Sequence, residues 1–176
     1  IINENNVDFD LVRVDLKTHK TEKGADYYEI NPKGYVPALE INPGLILTEN
    51  VAILPFLAQH DPKQDLIPPS GLGRAKVLEW LGYLNSELHD AYAVFFGAPL
   101  DAAAKEKAYA EIDRLLSYID KQIGESDHDS LVDDNFRPAD GIEHDLSPYK
   151  NIIFIRNKVA ERQSVQIAMR DEGLIP

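Results

Sequence analysis

The chain contains no cysteine, and this absence excludes both disulfide bonds and cysteine-based metal sites. Without thiols, its 176 residues can form neither a disulfide framework nor a thiolate metal site. Basic residues are also scarce, because 18 Lys and Arg stand against 30 Asp and Glu, which gives a net charge of −12. Since phosphate contacts need clustered cations, this balance argues against nonspecific binding to nucleic acid or to an anionic membrane.

Long apolar runs are missing as well. No run approaches the roughly 20 residues that span a bilayer, and no signal peptide is recognisable, so we expect a cytoplasmic protein. The composition is that of a globular protein, with 44% hydrophobic and 27% charged residues. The chain is long enough to form one large domain or two small ones.

The most informative stretch is residues 31–53. A loop there ends in Val36-Pro37 and enters a short apolar strand, and Asn42-Pro43-Gly44 then predicts a turn. A second apolar strand leads to Thr48-Glu49-Asn50, where a helix should begin. Such a loop offers backbone amide and carbonyl groups, and the helix start offers free N–H groups and a positive dipole end. This pairing predicts a site for a small peptide with a carboxylate.

This stretch resembles the glutathione-binding half of the glutathione transferases, particularly of the bacterial beta class. The rest of the chain repeats that resemblance in order and spacing. The matching segments are residues 8–16, a histidine-bearing helix at 86–89, a capping segment at 135–140 and a helix boundary at 160–166. The resemblance implies a thioredoxin-like α/β domain followed by an all-helical domain.

The sequence pattern fits this architecture. Residues 1–60 mix short strands and helices, residues 61–70 form a Pro-rich polar linker, and residues 71–176 are predicted to be helical. In the helical part, apolar residues recur at steps of three and four. They are Val77, Leu81, Leu84, Leu88, Tyr92 and Phe95, followed by Tyr109, Ile112, Leu116, Ile119 and Ile123.

Local signals give four further expectations. Residues 11–16 are predicted to form a short buried strand. Thr48 or Asn50 should cap a helix over residues 50–59, which Pro55 should bend. Ser147-Pro148 should cap and open a later helix, with the Pro at its first position. Gly173 should end the last helix in a left-handed turn.

Two parts of the family pattern are absent. The chain opens inside what the family would make its first helix, so the first strand and the loop with the catalytic residue are missing. A core helix is missing near residues 140–142. We expect that the sequence omits residues at both places, with a true double deletion as the alternative. In the beta class the main catalytic residue is a Cys, sometimes a Ser or Tyr, within that absent loop.

The resemblance implies binding roles for the loop residues. Val36-Pro37 should be a cis peptide, and the backbone of Val36 should pair with the cysteinyl part of glutathione. Tyr35 replaces a Gln that the family often carries. Lys17 should meet the glycyl carboxylate, although a lone Lys is often only solvated.

The same resemblance assigns the other end of glutathione to the helix start. Glu49 should accept from the γ-glutamyl ammonium, and Asn50 with its N–H should bind the carboxylate. The alternative is an ordinary first-turn acid beside an ordinary cap. His89 should support the thiol as a donor or proton exchanger, unless it is satisfied by helix packing. Ser86 should reach the ligand of a partner subunit.

These expectations predict a homodimeric glutathione transferase that conjugates the glutathione thiol to small electrophilic molecules or exchanges it with them. No cofactor is expected, since glutathione is a co-substrate, and no metal is expected, because His128 lies in an acidic stretch without ligand spacing. Gly82 and Asp90 replace donors that the beta class often carries. They keep open a non-catalytic interaction module of the stringent-starvation type.

Overall fold

The computed structural model describes residues 8–60, 66–125 and 144–171. The chain divides into two units, residues 1–75 and residues 76–176. Within the described residues, no helix is both long enough and apolar enough to cross a membrane.

The first unit contains two small antiparallel sheets. Strand β1, Val14–Asp15, pairs with β2, Lys20–Thr21. Strand β3, Ala38–Asn42, pairs with β4, Leu45–Thr48, through the predicted turn at Pro43 and Gly44. Gly44 has φ +78°, a conformation that glycine adopts without strain.

Two helical segments complete this unit. A 3-10 turn, Tyr27–Glu29, begins where the Asp26 carboxylate accepts from the Tyr28 N–H at 2.9 Å. Helix α1, Asn50–Ala58, buries Ile53, Leu57 and Ala58 and carries a buried Pro55 inside it. The helix after Glu49 was predicted from the sequence.

The predicted buried strand at residues 11–16 is wrong in extent and in burial. Only Val14 and Asp15 form strand, while Leu11 is 61% and Leu16 is 50% exposed. Within the described residues, β1 has one neighbour, the two-residue β2. A two-residue partner covers too little of the strand to bury the apolar side chains beside it.

The second unit is helical. Helix α2, Gly71–Tyr83, begins before the division at residue 75 and continues through a π-helical turn, Leu84–Leu88, into α3, His89–Ala93. Helix α4 spans Ala102–Glu125, α5 spans Lys150–Ala160 and α6 spans Gln163–Asp171.

One apolar core holds these helices together. Its members come from the π-helical turn, α3, α4, α5 and the segment before α5. They are Leu88, Tyr92, Ile112, Leu115, Leu116, Ile119, Leu146, Tyr149 and Ile152. Most of the predicted apolar positions lie in this core or pack against it, which confirms the steps of three and four read from the sequence.

The predicted cap of α5 is wrong. The helix begins at Lys150, after Ser147 and Pro148, and its preceding residue makes no side-chain capping bond. Instead the Asp120 carboxylate on α4 accepts from the N–H groups of Asn151 at 2.8 Å and Ile152 at 3.0 Å. A neighbouring helix therefore satisfies N–H groups that have no acceptor within α5.

Candidate functional site

The loop before β3 is fixed from inside by two buried side chains. The Tyr27 hydroxyl and the Asn31 side-chain amide both donate to the Tyr35 carbonyl, at 2.8 and 2.6 Å. Asn31 is 2% exposed, and its own carbonyl accepts from the Gly34 N–H at 2.8 Å. These bonds hold the loop in one conformation and leave its outer edge accessible.

The peptide between Val36 and Pro37 is cis, which confirms the prediction. Val36 is 48% and Tyr35 is 71% exposed. Within residues 8–60, the backbone N–H and C=O of Val36 have no hydrogen-bond partner. This backbone edge is therefore open to an extended peptide, which could pair with it as a strand pairs with a sheet edge.

The β3–β4 hairpin brings the loop and the helix start to the same place. Ala38 is the register partner of Thr48. Val36-Pro37 directly precedes Ala38, and Glu49-Asn50 directly follows Thr48. Both predicted binding segments thus lie at one end of the hairpin.

Glu49 has an unusual backbone conformation at this end. Its φ is +73° and its ψ is +124°, a region that side-chain-bearing residues rarely adopt. Its carbonyl accepts from the N–H groups of Ala52 and Ile53, both at 2.9 Å, so the strained residue is fixed by the first helical turn. Its carboxylate makes no capping bond, so the carboxylate oxygens are not used by the helix.

The prediction that Thr48 or Asn50 caps this helix is wrong. Glu49 occupies the capping position, and Asn50 is the first helical residue. The N–H groups of Asn50 and Val51 have no intrahelical acceptor, because they precede the first helical bonds. Asn50 therefore offers a free N–H at the positive end of the helix, as a carboxylate site requires.

Lys33 completes this cluster, and the sequence analysis did not find it. Its ammonium donates to the Thr48 hydroxyl at 2.8 Å and forms an ion pair with Glu49 Oε1. The partners lie 15 and 16 residues away along the chain, so no local signal could reveal the contact. The side chains of Lys33 and Glu49 are 44% and 51% exposed, so water and ligands can reach both.

Lys17 lies in the turn between β1 and β2, with its side chain exposed. Its N–H and the Thr18 hydroxyl donate to Asp15, at 2.8 and 2.9 Å, and hold the pKa of that carboxyl below its usual range. His19 in the same turn has φ +51°, and its ring lies 4.5 Å from the Tyr28 ring. The contact of Lys17 with a ligand stays a prediction.

His19 also lies against the loop before β3. A Cβ added to Gly34 would lie 2.7 Å from the Tyr28 ring and 3.1 Å from the His19 ring, so only glycine fits there. The His19 Nδ1 is buried and has no hydrogen-bond partner among the described residues. Nothing in the sequence marked this histidine, because its proximity to Gly34 depends on the fold.

Ser86 and His89 lie in the second unit and are exposed there. Ser86 belongs to the π-helical turn, and His89 begins α3. The His89 ring lies 6.3 Å from the Phe96 ring, outside the apolar core. His89 is therefore exposed beside Phe96, and its role beside the thiol stays a prediction.

Several expectations fall outside the described residues. They concern the acidic stretch around His128, the capping segment 135–140, the gap near 140–142 and Gly173. Among the residues that the structure does describe, no group of three or more His, Asp or Glu side chains could hold a metal ion.

Comparisons with known proteins agree with this geometry. The family model for the glutathione S-transferase N-terminal domain matches residues 1–59. Glutathione S-transferase GstA of Escherichia coli O157:H7 is 33% identical, over 98% of this chain and 91% of its own. A beta-class glutathione S-transferase structure from Sphingomonas chungbukensis is 34% identical, covers 99% of this chain and 92% of its own, and has a TM-score of 0.86.

A third relative was solved with its ligand. The structure of a sphingomonad glutathione S-transferase complexed with glutathione is 34% identical, covers 99% of this chain and 92% of its own, and has a TM-score of 0.85. These matches confirm the predicted fold class, a thioredoxin-like domain followed by a helical region.

Proposed function

The chain belongs to the glutathione S-transferase family and is a transferase, and from this premise we propose how it binds glutathione and what it acts on. The relatives that it matches are named as transferases, which supports this function and not the non-catalytic module. The proposal rests on one observation above all. The open backbone edge of Val36 and the Glu49-Asn50 helix start lie at the same end of one hairpin.

The cysteinyl and γ-glutamyl parts of glutathione each find complementary groups in the first unit. The backbone of Val36, beside Tyr35 and the cis Pro37, pairs with the cysteinyl peptide. The Glu49 carboxylate accepts from the γ-glutamyl ammonium in a charge-assisted bond. The γ-glutamyl carboxylate lies at the free N–H groups of Asn50 and Val51, where the helix dipole favours an anion.

Two exposed basic groups complete the proposal. Lys17 attracts the glycyl carboxylate of glutathione. His89 exchanges a proton with the glutathione thiol or with the leaving group. In the reaction the thiolate sulfur forms a bond to an electrophilic carbon of a small molecule, and the displaced group leaves with the electron pair of its own bond.

The proposal includes the setting of the reaction. The protein acts in the cytoplasm on reactive small molecules, as a detoxifying enzyme, and needs no cofactor besides the glutathione co-substrate. It forms a twofold homodimer, in which Ser86 approaches the glutathione of the partner subunit. Twofold assembly is the commonest arrangement of soluble oligomers.

The test is a calorimetric titration of the protein with glutathione. Glu49→Gln keeps the shape of the side chain and removes its charge, so we expect the affinity to fall about ten- to a hundred-fold. The matched control is Glu22→Gln, an exposed glutamate in the first unit that makes the same change in net charge. Wild-type protein that fails to bind glutathione would refute the function, and equal losses in both variants would refute the site.

A further inference from the structure

Lys33 links the binding loop to the helix start. Its ammonium contacts Thr48, the last residue of β4, and Glu49, the residue before α1. The loop that carries Lys33 is itself anchored, since Asn31 accepts from the Lys33 N–H at 3.2 Å. The backbone of Lys33 is thus held by Asn31, and its ammonium is held by Thr48 and Glu49.

Only one oxygen of Glu49 is used in this contact. Lys33 pairs with Oε1, and no bond to Oε2 is recorded among the described residues. The Glu49 side chain has no capping bond that would hold it in another direction. Lys33 is therefore the contact that fixes this carboxylate, and the second oxygen remains available to a cation from a ligand.

We propose that Lys33 is a positioning residue that sets the Glu49 carboxylate for a ligand ammonium and restricts the site to zwitterionic amino-acid ends. This inference rests on the proposed binding of glutathione. The Lys33 ammonium and the α1 dipole are positive, and Glu49 is negative. A ligand with one ammonium and one carboxylate places the ammonium beside Glu49 and the carboxylate beside the start of α1. Each charge of the ligand then lies next to a charge of opposite sign.

A ligand that has an amine but no carboxylate should bind less tightly at this site. Its ammonium shares the Glu49 carboxylate with the Lys33 ammonium, and no negative group of its own offsets that repulsion or occupies the N–H groups of Asn50 and Val51. Conversely, a ligand with a carboxylate alone leaves Oε2 unpaired. The contact of Lys33 therefore matters most when the ammonium of the ligand is present.

The test compares two ligands on four proteins. The ligands are glutathione and its analogue in which a glutaryl group replaces the γ-glutamyl group, so that only the α-ammonium is missing. The proteins are the wild type, Lys33→Met, Lys33→Arg and Lys23→Met, an exposed lysine of the same unit as the matched control. Calorimetry gives the affinities, and a thermal melt checks that each variant is folded.

We expect Lys33→Met to weaken glutathione about tenfold and to leave the affinity for the analogue within about twofold, so that the preference for the ammonium falls. Lys33→Arg should restore most of the preference, and Lys23→Met should not change it. Equal losses for both ligands would mean that Lys33 contacts a carboxylate of the ligand, and would overturn the proposal.

An unchanged or tighter affinity of Lys33→Met for glutathione would overturn it too, since Lys33 would then be neutral or a competitor. Failure of the proposed function gives a different result. In that case the wild type itself does not bind glutathione.

Discussion

Glu49 shows how a residue at a helix start can be held in a costly conformation. A non-glycine residue at φ +73° and ψ +124° costs roughly 1–3 kcal/mol. The structure keeps it there through two backbone bonds to the first turn of α1 and through the Lys33 ion pair. A glycine would relieve the strain, but it could not supply a carboxylate.

A pair of substitutions at this position separates strain from chemistry. Glu49→Ala and Glu49→Gly both remove the carboxylate, but only the glycine relaxes at positive φ. We expect the free energy of unfolding of Glu49→Gly to exceed that of Glu49→Ala by about 1 kcal/mol. This value already allows for the greater flexibility of glycine in the unfolded chain. Urea unfolding measures this difference, and both variants should bind glutathione equally weakly. An alanine variant as stable as the glycine variant would show that this backbone is not strained.

The sequence predicted the hairpin and the helix start of the candidate site better than it predicted their conformational details. The cis Val36-Pro37 peptide came from the resemblance, because cis X–Pro bonds are rare and nothing local requires one here. The positive φ of Glu49 had no signal, since such conformations are expected of Gly or Asn. The contact of Lys33 depends on the hairpin, which brings residues far apart in the chain together.

Helix α5 shows the limit of local signals for an element. Ser147 and Pro148 have the composition of a helix start, but the helix begins three residues after Ser147. The N–H groups of Asn151 and Ile152 donate to Asp120, 31 and 32 residues away in the chain. The Asn151 side chain adds a bond to the same carboxylate at 3.0 Å. The Ser147-Pro148 signal predicted a helix in this region, while its first residue was set by packing against α4.

Asp120→Ala should therefore be more costly than the loss of an ordinary cap. It leaves the N–H of Ile152 without its acceptor on a residue that is 4% exposed, and it removes three bonds to a charged group. We expect a loss of roughly 2–3 kcal/mol in the free energy of unfolding. The matched control is Asp101→Ala, which removes a local bond to the Ala104 N–H and should cost about 1 kcal/mol. Similar losses in the two variants, measured by urea unfolding, would show that α5 does not depend on α4 for its cap.

At the scale of the whole molecule, the sequence predicted the two kinds of domain and most of the helical core. The helical periodicity was sufficient there, because the core is formed by helix faces of the same unit. Strand burial in the first unit was not predictable in this way. An apolar run indicates that a strand can be buried, but burial depends on which other strands cover it, as the exposed Leu11 and Leu16 show.

The two units should differ in their response to alkaline pH. The tyrosines with a raised pKa are Tyr83, Tyr92 and Tyr149, and all lie in the second unit. Burial is the main cause in each case, and it raises the pKa of Tyr92 to about 12. Because a raised pKa means that the folded state holds the phenol proton more tightly, the stabilisation is complete below pH 10 and is lost as pH rises toward 12.

Tyr92→Phe tests this expectation directly. The Tyr92 hydroxyl is buried without a partner among the described residues, so its removal should leave stability at pH 8 unchanged or about 1 kcal/mol higher. Between pH 10 and 12 the variant should lose up to about 3 kcal/mol less than the wild type, since one pKa unit corresponds to about 1.4 kcal/mol.

Urea unfolding followed by the single tryptophan, Trp80, reports on the second unit. The control is Tyr35→Phe, a 71% exposed tyrosine of the first unit, which should leave the Trp80 curve unchanged. If Tyr92→Phe loses as much stability as the wild type, the buried phenol of Tyr92 does not limit the stability of the helical unit at high pH.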